Sequence, residues 1–404
     1  MRKLPGSWMI SYRDYIVKQE SPAIFHFWVS SQIVSSALRR NIWIDRGAYT
    51  VYPNQYVILI AMSGAARKSV AMEIGLDLLN EIKDTMVLHE RMTVEGLIDE
   101  AQRTLLLPNG KIVPDGSVLI HADELSNLFG KASYITDLMS FLTAGYTSKT
   151  KLDFLTRSKK LCRLRNACIG LLAGTTPDQM CEIFPTMTMT SGLLGRIMLV
   201  SGYKGTKYPK PELNKSMRGP LIEDLQDIST MYGEMKLTKE ADTFFDSWYM
   251  TIPDDPPQEL ASFYERKHDH VLKLAMLISA AESSVLSITK AHLESAITAI
   301  DYAEQFIPEA LAYIGASMQS SVVDLVFSII RKSHPERMQH SVLLRKVYRR
   351  IKNKSDFGDI IEILHESGRI NIEVSRAGRS YGVKQTKKAR NEAETSSNTN
   401  PKEN

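Results

Sequence analysis

Cysteine is scarce in this chain: three residues in 404, at Cys162, Cys168 and Cys181. None forms a C-x-x-C pair, so neither a thiolate zinc site nor an even disulfide framework is on offer, and a reducing cytoplasm is the expected compartment. Long apolar runs are missing as well. No stretch approaches the ~18–20 residues that cross a bilayer, and the opening MRKLPGSW has no signal-peptide core. Neither sign of charge dominates, because 50 Lys and Arg stand against 46 Asp and Glu for a net charge of +4. That balance permits a nucleic-acid partner without requiring one. His26, His121, His268 and His270 share no metal-ligand spacing beyond one H-x-H pair and read as core or solvated side chains. No nucleophile–base pair stands out. What is left is an ordinary globular composition, 43% hydrophobic and 24% charged, long enough for two or three domains.

The stretch that organises the chain is 56–79, YVILIAMSGAARKSVAMEIGLDLL. An apolar run ends in the small residues Ser63, Gly64, Ala65 and Ala66, then passes through Arg67, Lys68 and Ser69 into helix periodicity. Strand, small-residue turn, Lys-Ser and helix is the layout of a phosphate-binding loop. In such a loop the amides of a helix N-terminus face the anion, a lysine reaches the terminal phosphates, and a hydroxyl holds Mg²⁺. Gly64, Ala65, Ala66, Arg67, Lys68 and Ser69 are therefore the candidate nucleotide-binding residues. Glycine is missing from the two positions where G-x-x-x-x-G-K-[ST] has it, which Met62 and Arg67 occupy.

Elsewhere, 12–40 reads as helix with a start signal at Ser21-Pro22. Residues 42–51 read as a strand and turn around Arg46-Gly47, 70–83 as the helix after the loop, and 92–102 as a helix capped at Thr93. Asn109-Gly110 signals a hairpin. Three more apolar runs follow, 117–122 (SVLIHA), 167–173 (ACIGLLA) and 196–201 (RIMLVS). Such short, near-continuous runs are the pattern of parallel strands buried on both faces. Strands alternating with helices, each ending in polar residues, imply an α/β fold with a site along one edge of an open sheet. From 221 to about 316 the pattern turns wholly helical. Residues 320–384 read as three helices and a basic hairpin, which describes a winged helix. The polar tail 385–404 reads as disordered. The expected organisation is a 1–50 N-terminal segment, a 51–210 core, a 211–316 helical lid, a 317–385 winged helix and the tail 386–404.

Asp123-Glu124 closes the second apolar run. Beside a Lys-Ser loop, such an Asp helps hold Mg²⁺ and the adjacent acid polarises the attacking water, whereas alone the pair is equally a helix start. Thr175 and Thr176 leave the third run, as a γ-phosphate sensor or an ordinary Thr-Pro turn. Arg196 follows Gly192 and Gly195 at the head of the fourth, as a transition-state guanidinium or a structural arginine. Residues 149–165 (KTKLDFLTRSKKLCRLR) carry seven Lys or Arg against one Asp: Lys149, Lys151, Arg157, Lys159, Lys160, Arg163 and Arg165. Alternation toward Arg165 suggests a hairpin basic on one side, suited to a phosphate backbone or merely solvated. A second basic cluster comprises Arg345, Lys346, Arg349, Arg350, Lys352 and Lys354, with Arg376 and Arg379.

In this order the motifs resemble a family of helicase-like ATPases encoded by phages, plasmids and integrated elements, many of them a domain of unknown function with primase–helicase partners. More distantly the chain is similar to AAA+ replicative helicases, including the minichromosome-maintenance type. The resemblance rests on SPAIFHFW, YPNQYVILIAMSGAARKS, VLIHADEL, LLAGTTPDQM and SGLLGRIMLV, and covers roughly 20–385. It implies a P-loop NTPase (AAA+-like) core using ATP and Mg²⁺, with Lys68 and Ser69 as the Walker A pair and Asp123 and Glu124 as the Walker B pair. Thr175 stands at the sensor position and Arg196 at the finger position. It further implies a ring of six copies of the chain, with DNA (a single strand or fork) through a channel lined by 149–165, and a companion primase. The alternative expectation is a DNA-binding replication initiator or assembly factor that keeps the fold and has lost catalysis; a third is a transposition or defence regulator on the same core.

Overall fold

The apolar runs become parallel strands because side chains of both parities meet other side chains rather than water. The computed structural model describes residues 2–89, 92–106, 110–129, 132–155, 161–183, 192–257, 260–308, 322–323, 325–333, 336–348, 354–375 and 378–384. Within it, Tyr56–Ile60 and Ala167–Thr175 are buried along their whole lengths. They belong to a six-stranded sheet with the spatial order Ile197–Ser201, Tyr56–Ile60, Ala167–Thr175, Ile112–Ala122, Val87–His89, all parallel. Arg103–Leu106 pairs antiparallel with the first part of Ile112–Ala122. The second apolar strand therefore begins at Ile112 and not at 117: Gly110, at φ +77°, turns the preceding strand back onto it. Asn109 lies outside the described residues. The fold is α/β with a predominantly parallel sheet.

Helices cover both faces. Successive strand residues point to opposite sides, and Gly170 meets Gln32 of the Ala23–Leu38 helix while Ile169 meets Gly145 of the Ala132–Gly145 helix. Ala23–Leu38 is buried on almost all sides, and its internal hydroxyls are satisfied: Ser31 Oγ accepts from Gln55 Nε2 at 2.7 Å and Ser35 Oγ donates to the Pro53 carbonyl at 2.8 Å. The single helix expected over 12–40 is two, Trp8–Tyr15 and Ala23–Leu38, separated by the non-helical segment 16–22; Pro22, which does not fit a helix interior, starts the second.

Residues Met1–Ile314 form one compact unit and Gly315–Asn404 another. The N-terminal segment, sheet core and helical region thus share one unit. Trp8, fully buried, donates from Nε1 to the Leu221 carbonyl of the Lys215–Ser229 helix at 2.8 Å, and the Asp224 carboxylate accepts from the Leu4 amide at 3.0 Å. The stretch expected to be wholly helical after 221 also contains strand pairs of two residues each: Gly233–Glu234 joins Ile42–Asp45, and Lys236–Leu237 joins Ser287–Ile288. The long helices Ala261–Glu282 and Lys290–Glu304 are tied by Lys267 Nζ, 2.8 Å from Asp301 and 2.5 Å from Glu304.

The second unit holds a three-stranded antiparallel sheet, Met338–Gln339, Gly378–Val383, Ile370–Ser375 in that order, with the helices His340–Val347 and Lys354–Glu366. Leu343, Val347, Phe357, Leu364, Ile370 and Tyr381 fill its core. Truncating one such aliphatic residue to alanine costs about 2–5 kcal/mol. Among the described residues no helix is long and apolar enough to cross a membrane.

Candidate functional site

A parallel sheet opens a crevice at its carboxyl edge where neighbouring strands send their connections in opposite directions. Here that point lies between Tyr56–Ile60, whose connection runs to the Val87–His89 edge, and Ala167–Thr175, whose connection crosses to Ile197–Ser201. The two strands pair from Tyr56↔Leu171 to Ile60↔Thr175, and beyond the last pair the Ala61 amide donates to the Thr175 carbonyl at 3.3 Å. The register Ala122↔Ala173 brings the acidic turn in next to them. Gly174 is required there, since a Cβ would lie 2.6 Å from the Asp123 carbonyl oxygen.

The loop from Ala61 leads into the Lys68–Leu79 helix, with Arg67 at the position before its first residue. Gly64 has φ +68°, and Arg67 has φ +50° and ψ +42°. The sequence has replaced the second glycine, but the backbone keeps the left-handed conformation that glycine would supply. For a residue with a Cβ this costs roughly 1–2 kcal/mol. Contacts hold it in place: Arg67 Nε lies 3.1 Å from Glu20 Oε2, and Ser21 Oγ donates to the Arg67 carbonyl at 3.3 Å. Glu20 also takes Lys204 Nζ at 2.9 Å and the Tyr208 amide at 3.0 Å. Lys204, the Tyr208 amide and Arg67 together pull its carboxyl down to about 2.

Lys68, half-buried, donates from Nζ to the Ala61 carbonyl at 2.7 Å, so its ammonium lies folded over its own loop. Burial lowers its pKa, and the charge of Glu124 across the crevice works against that shift. Ser69 is half-buried in the first helical turn, where backbone amides lack partners within the helix. Asp123 and Glu124 are exposed. Asp123 Oδ1 is 3.5 Å from Nε2 of the buried His121, whose Nδ1 faces His89 Nδ1 at 3.1 Å; burial lowers the pKa of His121.

Thr175 is buried, and its Oγ1 donates to the Thr176 carbonyl at 3.3 Å. Thr176 in turn starts the Pro177–Ile183 helix, its Oγ1 accepting from the Gln179 amide at 3.3 Å. Gln179 was not apparent from sequence. Its Nε2 donates to Glu124 Oε2 at 3.2 Å while its Oε1 accepts from the Thr176 amide at 3.4 Å, joining the acidic turn to the Thr-Thr turn. Its place in the first turn of a helix leaving the sheet edge is the only signal that would have found it. Glu20, far away in sequence, gave none.

Arg196 is not brought to this crevice. It directly precedes Ile197, which pairs with Tyr56, the first residue of the loop strand. It therefore lies at the amino edge of the sheet, a strand length of roughly 17 Å from the loop. Its Nη1 donates to the Gly192 carbonyl, its guanidinium lies 5.9 Å from the Tyr146 ring centroid, and its Nε is buried without a hydrogen-bond partner among the described residues. Burial and the neighbouring Arg266 lower its pKa. Near it, a cavity of ≈ 560 Å³ is lined by Arg40, Tyr52, Tyr146, Lys149, Arg266 and Lys273 among others.

The basic stretch forms the expected hairpin, Lys151–Leu155 against Leu161–Arg165. Leu152, Cys162 and Leu164 are buried, while Lys151, Arg163 and Arg165 share the exposed face with Asp153. Asp153 binds Arg163 through two hydrogen bonds of 2.7 and 3.0 Å. Arg157, Lys159 and Lys160 lie outside the described residues. In the second unit Arg345, Lys346 and Arg379 are exposed, and Arg349, Arg350, Lys352 and Arg376 lie outside the described residues.

Of the other histidines, His26 is buried, and neither ring nitrogen has a hydrogen-bond partner among the described residues. His270 is also buried; its Nε2 donates to the Gly195 carbonyl at 2.9 Å, and its Nδ1 is 3.3 Å from Tyr146 Oη. Among the described residues no group of three or more His, Cys, Asp or Glu is placed to hold a metal ion. Compared with protein-family models and with curated proteins, the chain matches none.

Proposed function

We propose that the chain is a P-loop ATPase of the AAA+ type that couples ATP hydrolysis to movement along DNA, as the replicative helicase of a mobile element. One observation carries the reading: Lys68 and Ser69 at a helix start, Asp123, Glu124 and Thr175 all converge on the carboxyl-edge crevice where the sheet connections diverge. The oxygen donors fit a magnesium nucleotide, because Mg²⁺ takes one or two protein oxygens and completes its shell with phosphate and water. Ser69 and the exposed Asp123 supply those oxygens, which suits a site without a dedicated metal cage. Bound there, ATP and Mg²⁺ would supply the phosphoryl group and neutralise its charge. Lys68 would exchange the Ala61 carbonyl for phosphate oxygen, and Glu124, held by Gln179, would orient the attacking water. Arg196, at the opposite edge of its own sheet, would act on the nucleotide of a neighbouring copy, which favours a ring. The exposed basic face of the 151–165 hairpin, and a second unit read as a winged helix with Arg345 and Arg379 outward, suit a phosphate backbone.

The direct test is ATP turnover with and without single-stranded DNA. Turnover is expected to rise with DNA and to vanish in Lys68→Ala, whose fold is retained because only one hydrogen bond of about 1 kcal/mol is lost. Unchanged turnover in Lys68→Ala removes the site assignment. A second reading, a DNA-binding initiator with catalysis lost, is favoured by the ammonium folded onto Ala61 and by Arg67 in a glycine's place. Titration calorimetry separates the two: DNA binding without ATP or ADP binding supports the initiator.

A further inference from the structure

The segment preceding the Ala23–Leu38 helix runs past the phosphate-binding loop and is fastened at several points. Lys18 pairs with Glu212 at 3.1 Å, Gln19 Nε2 donates to the Glu212 carbonyl at 3.0 Å, and the Gly205 amide donates to the Glu20 carbonyl at 3.0 Å. This strap is thus tied to the chain that leaves the Ile197–Ser201 strand. From it, two adjacent residues reach the same target. Glu20 takes the Arg67 guanidinium and Ser21 donates to the carbonyl of Arg67, the residue whose φ is +50°.

The Glu20 carboxylate is itself positioned before it meets Arg67. Its side chain is only 9% exposed; Lys204 shares Oε2 with Arg67, and the Tyr208 amide donates to Oε1. A carboxylate anchored in this way is a fixed point and not a mobile surface acid. The Arg67 side chain is 53% exposed, so the pair sits where a partly open arginine is drawn back onto a buried anchor. Surface ion pairs alone contribute little. Here the contact acts on a backbone conformation that arginine does not prefer, and that conformation sets the direction of the amides beginning the Lys68–Leu79 helix.

We propose that Glu20 is the positioning residue of the phosphate-binding loop: by holding Arg67, with Ser21 on its carbonyl, it imposes on an arginine the left-handed backbone that a glycine would adopt unaided. The inference rests on the nucleotide reading of the site for its effect on binding, and on geometry alone for its effect on the loop.

The test is a set of variants read in two ways, ADP affinity by calorimetry and hydrogen exchange of the 64–69 amides. Arg67→Gly needs no clamp and should bind ADP at least as well as the natural chain. Arg67→Ala keeps a Cβ in the left-handed position and loses the ion pair, so it should bind on the order of tenfold more weakly. Glu20→Gln should weaken binding similarly in the natural background and by less than about twofold when Arg67→Gly is already present. Faster exchange of the 64–69 amides in Glu20→Gln and Arg67→Ala, but not in the double variant Glu20→Gln/Arg67→Gly, is the matching loop readout. Equal behaviour of Arg67→Gly and Arg67→Ala overturns the proposal, and that comparison stands even if Glu20→Gln fails to fold. If no form binds ADP, the nucleotide reading falls, and the exchange pattern still decides whether Glu20 sets the loop.

Discussion

Gln179 Nε2 donates a 3.2 Å hydrogen bond to Glu124 Oε2, and this contact joins the two turns that close the crevice. Since Gln179 Oε1 also accepts from the Thr176 amide at 3.4 Å, the amide plane is fixed at both ends. The carboxylate of Glu124 is otherwise exposed and would sample several rotamers. Gln179→Ala should therefore leave ADP affinity within about twofold and lower ATP turnover about tenfold, less than the roughly 10²–10⁴-fold of losing a general base outright because Glu124 itself remains. Steady-state kinetics with parallel calorimetry checks this. An equal loss in affinity and turnover would show that Gln179 supports the fold of the site and does not orient Glu124.

The separation between Lys68 and Arg196 within one copy makes a prediction about assembly. If each hydrolysing site takes Lys68 from one copy and Arg196 from the next, then Lys68→Ala and Arg196→Ala are each inactive alone. Mixed rings contain interfaces at which both intact residues meet, so mixing the two inactive variants should restore a measurable fraction of turnover. Titrating one variant into the other while following ATP hydrolysis provides the measurement. No recovery at any ratio, with mixed assembly verified by mass, would remove Arg196 from the reaction.

Four strands of the sheet were legible because burial on both faces leaves a mark in the sequence itself: every residue of Tyr56–Ile60 is buried, and every one is apolar or aromatic. Val87–His89 and Arg103–Leu106, short and only partly buried, left no such mark. The Thr93 cap was legible for a similar local reason, its side chain accepting from the Gly96 amide as an N-cap does. The two-residue strands at Gly233–Glu234, Lys236–Leu237 and Ser287–Ile288 are too short to show alternation, and they form only because distant backbone lies alongside. At the candidate site, Lys68, Ser69, Asp123 and Glu124 were chosen by residue type and spacing, and the fold brings them to one crevice. Arg67 was misleading, because a glycine rule reads the absence of a Cβ, and the conformation is held instead by Glu20, 47 positions earlier. Gln179 escaped for the same reason, as its partner Glu124 is 55 positions away.

Two buried histidines give the first unit an acid sensitivity. Burial pulls His26 and His270 down to about 4, below the ordinary histidine value of about 6.5. Above that value both the folded and unfolded forms are neutral and neither histidine contributes. Between about pH 6.5 and 4 the unfolded chain takes up protons that the folded chain refuses, so stability falls as pH drops, by at most ~1.4 kcal/mol per pH unit per histidine. Denaturant unfolding at pH 7.5 and 5 should show a lower midpoint at pH 5. His270→Gln, whose amide can still donate to the Gly195 carbonyl, should shrink that difference. A difference unchanged by His270→Gln would assign the acid sensitivity elsewhere.

On the exposed face of the hairpin, one acid neutralises part of the basic surface: Asp153 holds Arg163 through bonds of 2.7 and 3.0 Å, while Lys151 and Arg165 face each other in the adjoining pair. Arg163 lowers the pKa of Asp153, so that acid stays charged at neutral pH. If this face meets a phosphate backbone, Asp153 opposes binding directly and by occupying the guanidinium. Asp153→Asn should tighten single-stranded DNA binding several-fold at low salt and steepen its salt dependence, because more counterions are released. Lys151→Ala and Arg165→Ala should each weaken binding and reduce the slope of log affinity against log salt by about 0.7, the value for one phosphate contact on a single strand. Fluorescence anisotropy across a salt series reads all three. Were Asp153→Asn to weaken binding while leaving the hairpin folded, the acid would be contributing to a contact of its own, and the exposed basic face would not be the DNA surface.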